Sequence, residues 1–555
     1  MSISKRKNMA SGLIALLLTL GLIVSACSKN NTGETSPSPS QESAKPPASS
    51  AASPSDDLSK KVSLSMFMYG AKVEGMDPSD NPIVNRVEEL TNTDLSVEMV
   101  AQADFETKIN LMLASGNLPD IVNVMYAQEQ AYEAARAGAF IDLKSYYDNS
   151  PTIQKYITPE MMELSKDPVT GNYWRIPMAW DKAPQGYGII ARYDLVQKYN
   201  NGVWPESVEQ WVDLLRVIKQ ANPTKSVFTN RNLGDTLLSY AGTTIYQMYG
   251  VSPYTWRIMD GKVIPDVLLP EYKAATQVMR QLYAEGILDK DFATVTSDQY
   301  YAKLDNDLIL LDANSTPGLL WNSNHAAKDL KDGRQYLFAP VLKQPPAELA
   351  DMKYTYGFRG YPIIDQGAYI SSKSKDPDRA FKVIEAFTSD EVVDNIFWGE
   401  EGKTYKMLDG KRVPDLEALG KEYTRYSYYY AFVPGYEGAP DLSRAKTELN
   451  LGAEASKLLY DSVDERVRLA EGNGFGDLPG FVLPEAAALK SSESMQRINQ
   501  FTVKAIMGEI SMDQFDQEVS KWEKDFKSLM YDDMQKYLDE NKDKLREQGV
   551  KHVDW

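Results

Sequence analysis

The stretch FETKINLMLASGNLPDIVNVMY, Phe105 to Tyr126, constrains the fold of this chain more than any other. Phe105, Ile109, Met112 and Leu113 recur at helical spacing. Gly116 suits the position just past a helix, where the backbone turns to positive φ, and Pro119 prevents the helix from continuing. Ile121 to Met125 then reads as a buried strand. A helix followed at once by such a strand is half of a βαβ unit, so a parallel α/β sheet is expected. VSLSMFMYG, Val62 to Gly70, alternates and ends in glycine, and supplies a first strand.

Helix-start chemistry supports further elements. In WPESVEQWVDLL, Ser207 and Gln210 stand at the spacing of a capping box. Asp376 followed by Pro377 gives an N-cap and a proline at the first helical position. Ser511 and Gln514 form another box, and Phe515, Val519, Trp522, Phe526 and Leu529 make one apolar stripe behind it. That stripe is expected to pack inward, with a partner interface or a coiled coil as the alternatives, and Trp204, Trp211 and Trp522 are expected to be core.

The first 26 residues have the order of a secretory signal. Lys5, Arg6 and Lys7 are followed by LIALLLTLGLIV, Leu13 to Val24, and then by the small residues Ser25 and Ala26. The apolar run is short for a bilayer span, which needs about 20 residues. Val24-Ser25-Ala26-Cys27 resembles the lipobox of bacterial lipoproteins, which implies cleavage before Cys27 and lipidation of its sulfur. Cys27 is the only cysteine, so no disulfide can form within the chain. Residues 27–58 are rich in Ser, Pro and Ala with almost no apolar bulk, and read as a lipidated N-terminus and disordered tether.

Composition removes several functions. The signal carries three basic and no acidic residues, so a net charge of −18 becomes −21 without it. This argues against nucleic acid and against charge-driven membrane binding. The two histidines, His325 and His552, are far apart, which disfavours zinc and Ser-His-Asp chemistry. GEEGKT, Gly399 to Thr404, fails as a P-loop because Phe397 occupies the first glycine position. GNGFGD, from Gly472, has the wrong spacing for a dinucleotide loop. No cofactor and no metal are expected; the spacing around Asp167 and Asn172 matches no EF-hand loop.

ASGNLPDIV resembles the ASG-x-x-PD signature of extracellular solute-binding protein family 1, the lipoprotein receptors of carbohydrate ABC importers. AARAGAFIDL (Ala134 to Leu143), GNYWRIP (Gly171 to Pro177), GYGIIARYDL (Gly186 to Leu195), GAYISSKSKDPDRAFKVIEAF (Gly367 to Phe387) and WGEEGKTYKM (Trp398 to Met407) resemble further family segments in the same order. One departure is Trp174, which follows Tyr173 where the family has Gly or Ala. The resemblance implies an α/β, two-lobed periplasmic-binding-protein-like fold of type II, with the ligand in a cleft between lobes. It implies lobe one at 60–178 plus 345–410 and lobe two at 179–344 plus 411–555, with crossings near Pro177 and Pro340.

The implied function is capture of an oligosaccharide without catalysis and its delivery to an ABC permease. The protein would be a monomer, lipid-anchored on the outer face of a Gram-positive membrane. Sugars need flat aromatics for their C–H faces and planar hydrogen-bonding groups for their hydroxyls. Such residues fall where cleft loops are expected: Tyr69, Asn123, Tyr126, Trp180, Tyr187, Asn230, Arg231, Asn314, Trp321, Arg359 and Tyr361. Trp180 and Trp321 lead this set, and YSYYY, Tyr426 to Tyr430, is a further candidate or a partly exposed β segment. A binder of peptides or another non-sugar solute, or an anchored polysaccharide-active enzyme, remain the alternatives.

Overall fold

Val62–Tyr69 forms β1, the strand expected from its alternation, and it lies between two parallel neighbours. β2 (Thr93–Val100) flanks it on one side and β3 (Ile121–Val124) on the other. The structure is a computed structural model. It describes residues 58–70, 77–100, 102–125, 128–167, 169–178, 187–232, 237–316, 318–320, 323, 333–349, 366–419, 440–473, 478, 481, 483–547 and 550. Cys27, Tyr126, Trp180, Trp321, Arg359, Tyr361 and the YSYYY run lie outside the described residues.

Two short strands complete the first sheet: β4 (Ile176–Pro177) at its edge, and β10 (Gly367–Ile370) antiparallel between β3 and β4, giving the order β2-β1-β3-β10-β4. Both faces of this sheet are covered. Leu64, Met66 and Met68 point into one buried cluster, and Phe67 points into another with Phe105, Ile109, Val122 and Tyr369. The helix Gln102–Ser115 ends as expected, with Gly116 at φ 63°. Trp174 is buried, and its indole N–H donates to Asp167 Oδ2 at 3.0 Å. The bulk that departs from the family pattern is therefore packed into the core.

A second sheet has β5 (Tyr187–Arg192) at its centre, antiparallel to β8 (Leu311–Ser315) and β9 (Tyr336–Phe338). β8 starts later than the run DLILLD suggests, so Asn314 lies within the strand. The reason is register: pairing with β5 begins at Leu311, while Leu308 and Leu310 bond to the carbonyls of Ser226 and Val227. Two hairpins stand apart, β6 (Trp256–Met259) with β7 (Lys262–Pro265), and β11 (Tyr405–Leu408) with β12 (Lys411–Pro414).

The second sheet packs on a large core that includes Trp211, Tyr246, Tyr272, Phe515, Trp522 and Phe526. The C-terminal stripe thus packs inward, and Trp204 joins it half-buried, stacked on Tyr193 at 4.9 Å. Leu342 belongs to this core and Leu349 packs against it, so the chain returns to the first sheet between Leu349 and Gln366, later than Pro340. Leu419 and Leu442 pack with the first sheet's core.

The caps mostly follow the sequence. Ser511 and Gln514 make a complete capping box, and Asp376 accepts from the Arg379 amide at 3.1 Å. At Ser207 only half of the box forms. Its hydroxyl accepts from the Gln210 amide, but the Gln210 side chain accepts from the Glu206 amide instead.

Candidate ligand-binding cleft

Strand register locates the cleft edges. β1, β2 and β3 run the same way and end at Tyr69, Val100 and Val124. Gly367 lies opposite both Val124 and Pro177. The chain therefore leaves the first sheet, past Pro177, and re-enters it, at Gly367, along the edge where β3 ends. On the second sheet Tyr187 begins β5 opposite Ser315, the last residue of β8. Residues 179–186 join these two edges. In open α/β sheets ligands bind outside the carboxyl ends of strands, which is this side of the first sheet.

The candidate residues divide at these edges. Tyr69 is half-buried and meets Phe105 edge-on at 6.0 Å. Asn123 is fully buried on β3, opposite Ala368, one residue short of the edge. Tyr187 is half-buried, and its hydroxyl donates to the Ala313 carbonyl at 3.2 Å. Asn314 lies opposite Gly188, and its Oδ1 accepts from the Ser315 amide at 2.9 Å. The Ser226 and Val227 carbonyls accept from the Leu308 and Leu310 amides just ahead of β8, and Arg231 meets the ring of Tyr240, in the turn Tyr240–Thr243 that packs against β8.

Asn230 differs from the expectation. It is fully buried, its amide nitrogen donates to Phe292 O at 2.9 Å and to Leu237 O, and its Oδ1 accepts from the Ser239 amide at 3.1 Å. With donors and acceptor engaged inside the protein, it offers nothing to a sugar hydroxyl. Its role is to clamp the turn that follows.

That turn carries residues the sequence reading did not single out. Tyr240 has φ 48°, an uncommon conformation for a bulky residue. Its ring lies 4.2 Å from the Arg231 guanidinium, and Tyr301 covers the same group at 5.1 Å. Burial raises the Tyr301 phenol above its ordinary pKa, and the nearby Arg231 cation opposes that rise. SYAGT has neither strand alternation nor helical period, so only the left-handed turn brings Tyr240 to Arg231. Arg466 was also unforeseen, because it sits in the charged helix Ala453–Asn473. It is buried against β5, where a Cβ on Gly188 would lie 2.8 Å from its Nε.

The loop around Asp167 is closed by protein groups. The buried carboxylate accepts from Arg136 Nη2 at 2.8 Å, Thr170 Oγ1 at 2.6 Å, Trp174 Nε1 at 3.0 Å and the Val169 amide at 3.0 Å. Burial alone would raise its pKa, but these donors outweigh that and hold it well below the usual carboxylate range. A guanidinium thus occupies the position a cation would need. Among the described residues, no cluster of three or more His, Cys, Asp or Glu is placed to hold a metal ion.

Comparison with known proteins agrees with this architecture. The chain is 22% identical over 524 residues to the polygalacturonan/rhamnogalacturonan-binding protein YtcQ of Bacillus subtilis, covering 92% of this chain and 95% of that one. It is similar in fold to an HMO-binding, ABC-transporter-associated solute-binding protein from Bifidobacterium longum infantis, with a TM-score of 0.64, 16% identity, and coverage of 86% and 99%. It is also similar to the substrate-binding protein FusA of Streptococcus pneumoniae in complex with kestose, with a TM-score of 0.62, 17% identity, and coverage of 87% and 100%. These proteins are described as binding or substrate-binding proteins. The description of bacterial extracellular solute-binding proteins matches residues 74–394, and the chain belongs to that family.

Proposed function

We propose that this protein captures an oligosaccharide between its two sheets and passes it, unmodified, to the permease of an ABC importer. What supports the reading is that the chain leaves the first sheet after Pro177 and enters the second at Tyr187, with Tyr69 and Asn123 by the strand ends of the first and Tyr187, Asn314 and Arg231 on the second. Aromatic faces and planar polar groups from both sides suit a sugar chain. Relatives described as binding polygalacturonan or fructooligosaccharides support this class of ligand. Trp180, Trp321, Tyr126, Arg359 and Tyr361 complete the proposed site.

In this reading residues 58–178, together with the chain from Gln366 through Leu419 and with Leu442, form one lobe. Residues 187–349 and the C-terminal helices form the other. Binding energy favours the closed state, and closure is what the permease senses. Cys27 carries the lipid that holds the chain at the outer membrane face, residues 27–58 are the tether, and the protein works as a monomer. Small-angle scattering during titration with saccharide and peptide panels tests the reading. A smaller radius of gyration with a saccharide, recovered uncleaved, supports it. Closure on peptides alone, or cleaved sugar at turnover stoichiometry, overturns it.

A further inference from the structure

We propose that Arg231, framed by tyrosines at the cleft edge of the second sheet, recognises the carboxylate of an acidic sugar, so that the ligand is a hexuronate-containing oligosaccharide. This rests on the saccharide-binding reading above and narrows it to a chemical class.

Arginine in this chain is usually neutralised by contact. Arg136, Arg192 and Arg257 each meet an aspartate, at 2.8, 2.6 and 2.8 Å. Arg231 does not. Its Nε donates to Ser297 Oγ at 3.1 Å, and among the described residues no carboxylate lies within ion-pair distance of it. Neither Nη nitrogen has a hydrogen bond to a described residue, and neither is buried. The guanidinium is nonetheless held in place, 4.2 Å from the Tyr240 ring centroid, 5.1 Å from Tyr301 and 5.9 Å from Tyr300.

Stacking fixes the plane of the guanidinium, and the Ser297 bond fixes its rotation. What remains available is the pair of outer Nη donors, a planar fork whose geometry matches the two oxygens of a carboxylate. A neutral diol satisfies the same donors without using the charge. Asp312 is buried on β8, where its Oδ1 accepts from the Ala313 amide at 2.9 Å, and it makes no ion pair with Arg231.

The surroundings are built to hold this arrangement. Asn230 Oδ1 accepts from the Ser239 amide, just ahead of Tyr240. A Cβ on Gly242 would lie 2.1 Å from that same oxygen, so only glycine lets the turn close onto Asn230. Tyr240 is thereby kept at φ 48°, and backbone strain of this kind concentrates at ligand clamps. The chain's large negative charge repels anions at long range. In physiological salt that repulsion is screened beyond about 8 Å, and the local cation decides affinity.

Calorimetric titration of the full chain with tri- and tetragalacturonate, trimannuronate, their methyl esters and the neutral galacto- and mannotrioses tests the proposal. The free acid of at least one uronate should bind, and its ester should bind about 10- to 100-fold more weakly. Arg231→Gln should weaken the acid by the same factor and leave the ester unchanged, with Arg231→Lys in between. Ser297→Ala, which keeps the cation but frees its rotation, should lose several-fold on the acid alone and carries the test if Arg231→Gln fails to fold. Equal affinity of the native protein for acid and ester overturns the proposal. Binding of neutral trisaccharides with no uronate binding overturns it and leaves the saccharide reading standing. Binding of no saccharide of either kind overturns both.

Discussion

Asp167 shows how far a single residue depends on its neighbours. Its carboxylate is fully buried and held by four donors, among them Arg136, so removing its charge leaves a half-buried guanidinium without its counter-ion. Asp167→Asn should cost about 3 kcal/mol at neutral pH, which lowers Tm by several degrees. Because the folded pKa is depressed, the stabilisation is complete above the unfolded value of about 3.9 and is lost as pH falls toward the folded one. Thermal melts of both proteins should therefore converge as pH drops from about 5 to 2. A gap that stays constant would mean that packing, not charge, accounts for the loss. At the proposed cleft, one stacked aromatic contributes about 1–3 kcal/mol. Trp180→Ala or Trp321→Ala should weaken the saccharide by roughly 5- to 150-fold with little change in the ligand-free Tm. Unchanged affinity in both would remove them from the site.

At the scale of elements, local sequence signals proved dependable where the deciding interaction is local. The Gly116 stop, the Asp376 cap and the Ser511 box are each completed within a few residues. Where a side chain has two possible partners, the outcome shifts, as at Gln210, which chose the Glu206 amide. The 3₁₀ turn Tyr240–Thr243 is the opposite case. It is shaped by Asn230, ten residues upstream of Tyr240, and by the room that Gly242 leaves. Gly242→Ala would drive a methyl group into the Asn230 amide and break its three-way clamp. The expected cost is about 2–3 kcal/mol, from overpacking and lost buried hydrogen bonds. Urea denaturation should show a lower midpoint with an unchanged m-value. A midpoint equal to wild type would mean that the turn can relax, and would weaken the case for a preorganised Tyr240.

For the whole molecule, the proposed function assigns anchoring and binding to different parts of the chain, and each can be tested alone. Cys27→Ser should release the protein from cells into the medium with its melting curve unaltered, because the first described strand begins only at Val62. Membrane retention after signal cleavage would sink the lipid-anchor reading. The sequence by itself determined the family, the α/β class, the order of the first strands and helices, and the exclusion of disulfides. The family follows from the resemblance of motifs such as ASGNLPDIV, and the rest from periodicity, capping and composition; all are properties of short windows. It also marked Tyr69, Asn123, Tyr187 and Asn314 as candidates, because each sits by a strand terminus that short windows reveal. Only the tertiary structure decided that Asn230 faces inward while its neighbour Arg231 faces out between Tyr240 and Tyr301. It alone placed Arg466 behind Gly188 and Arg136 on Asp167. Those partners are separated by 9 to 278 positions, and no pattern along the chain encodes their approach. Packing brings them together because a buried polar group must find its partner wherever the folded chain presents one.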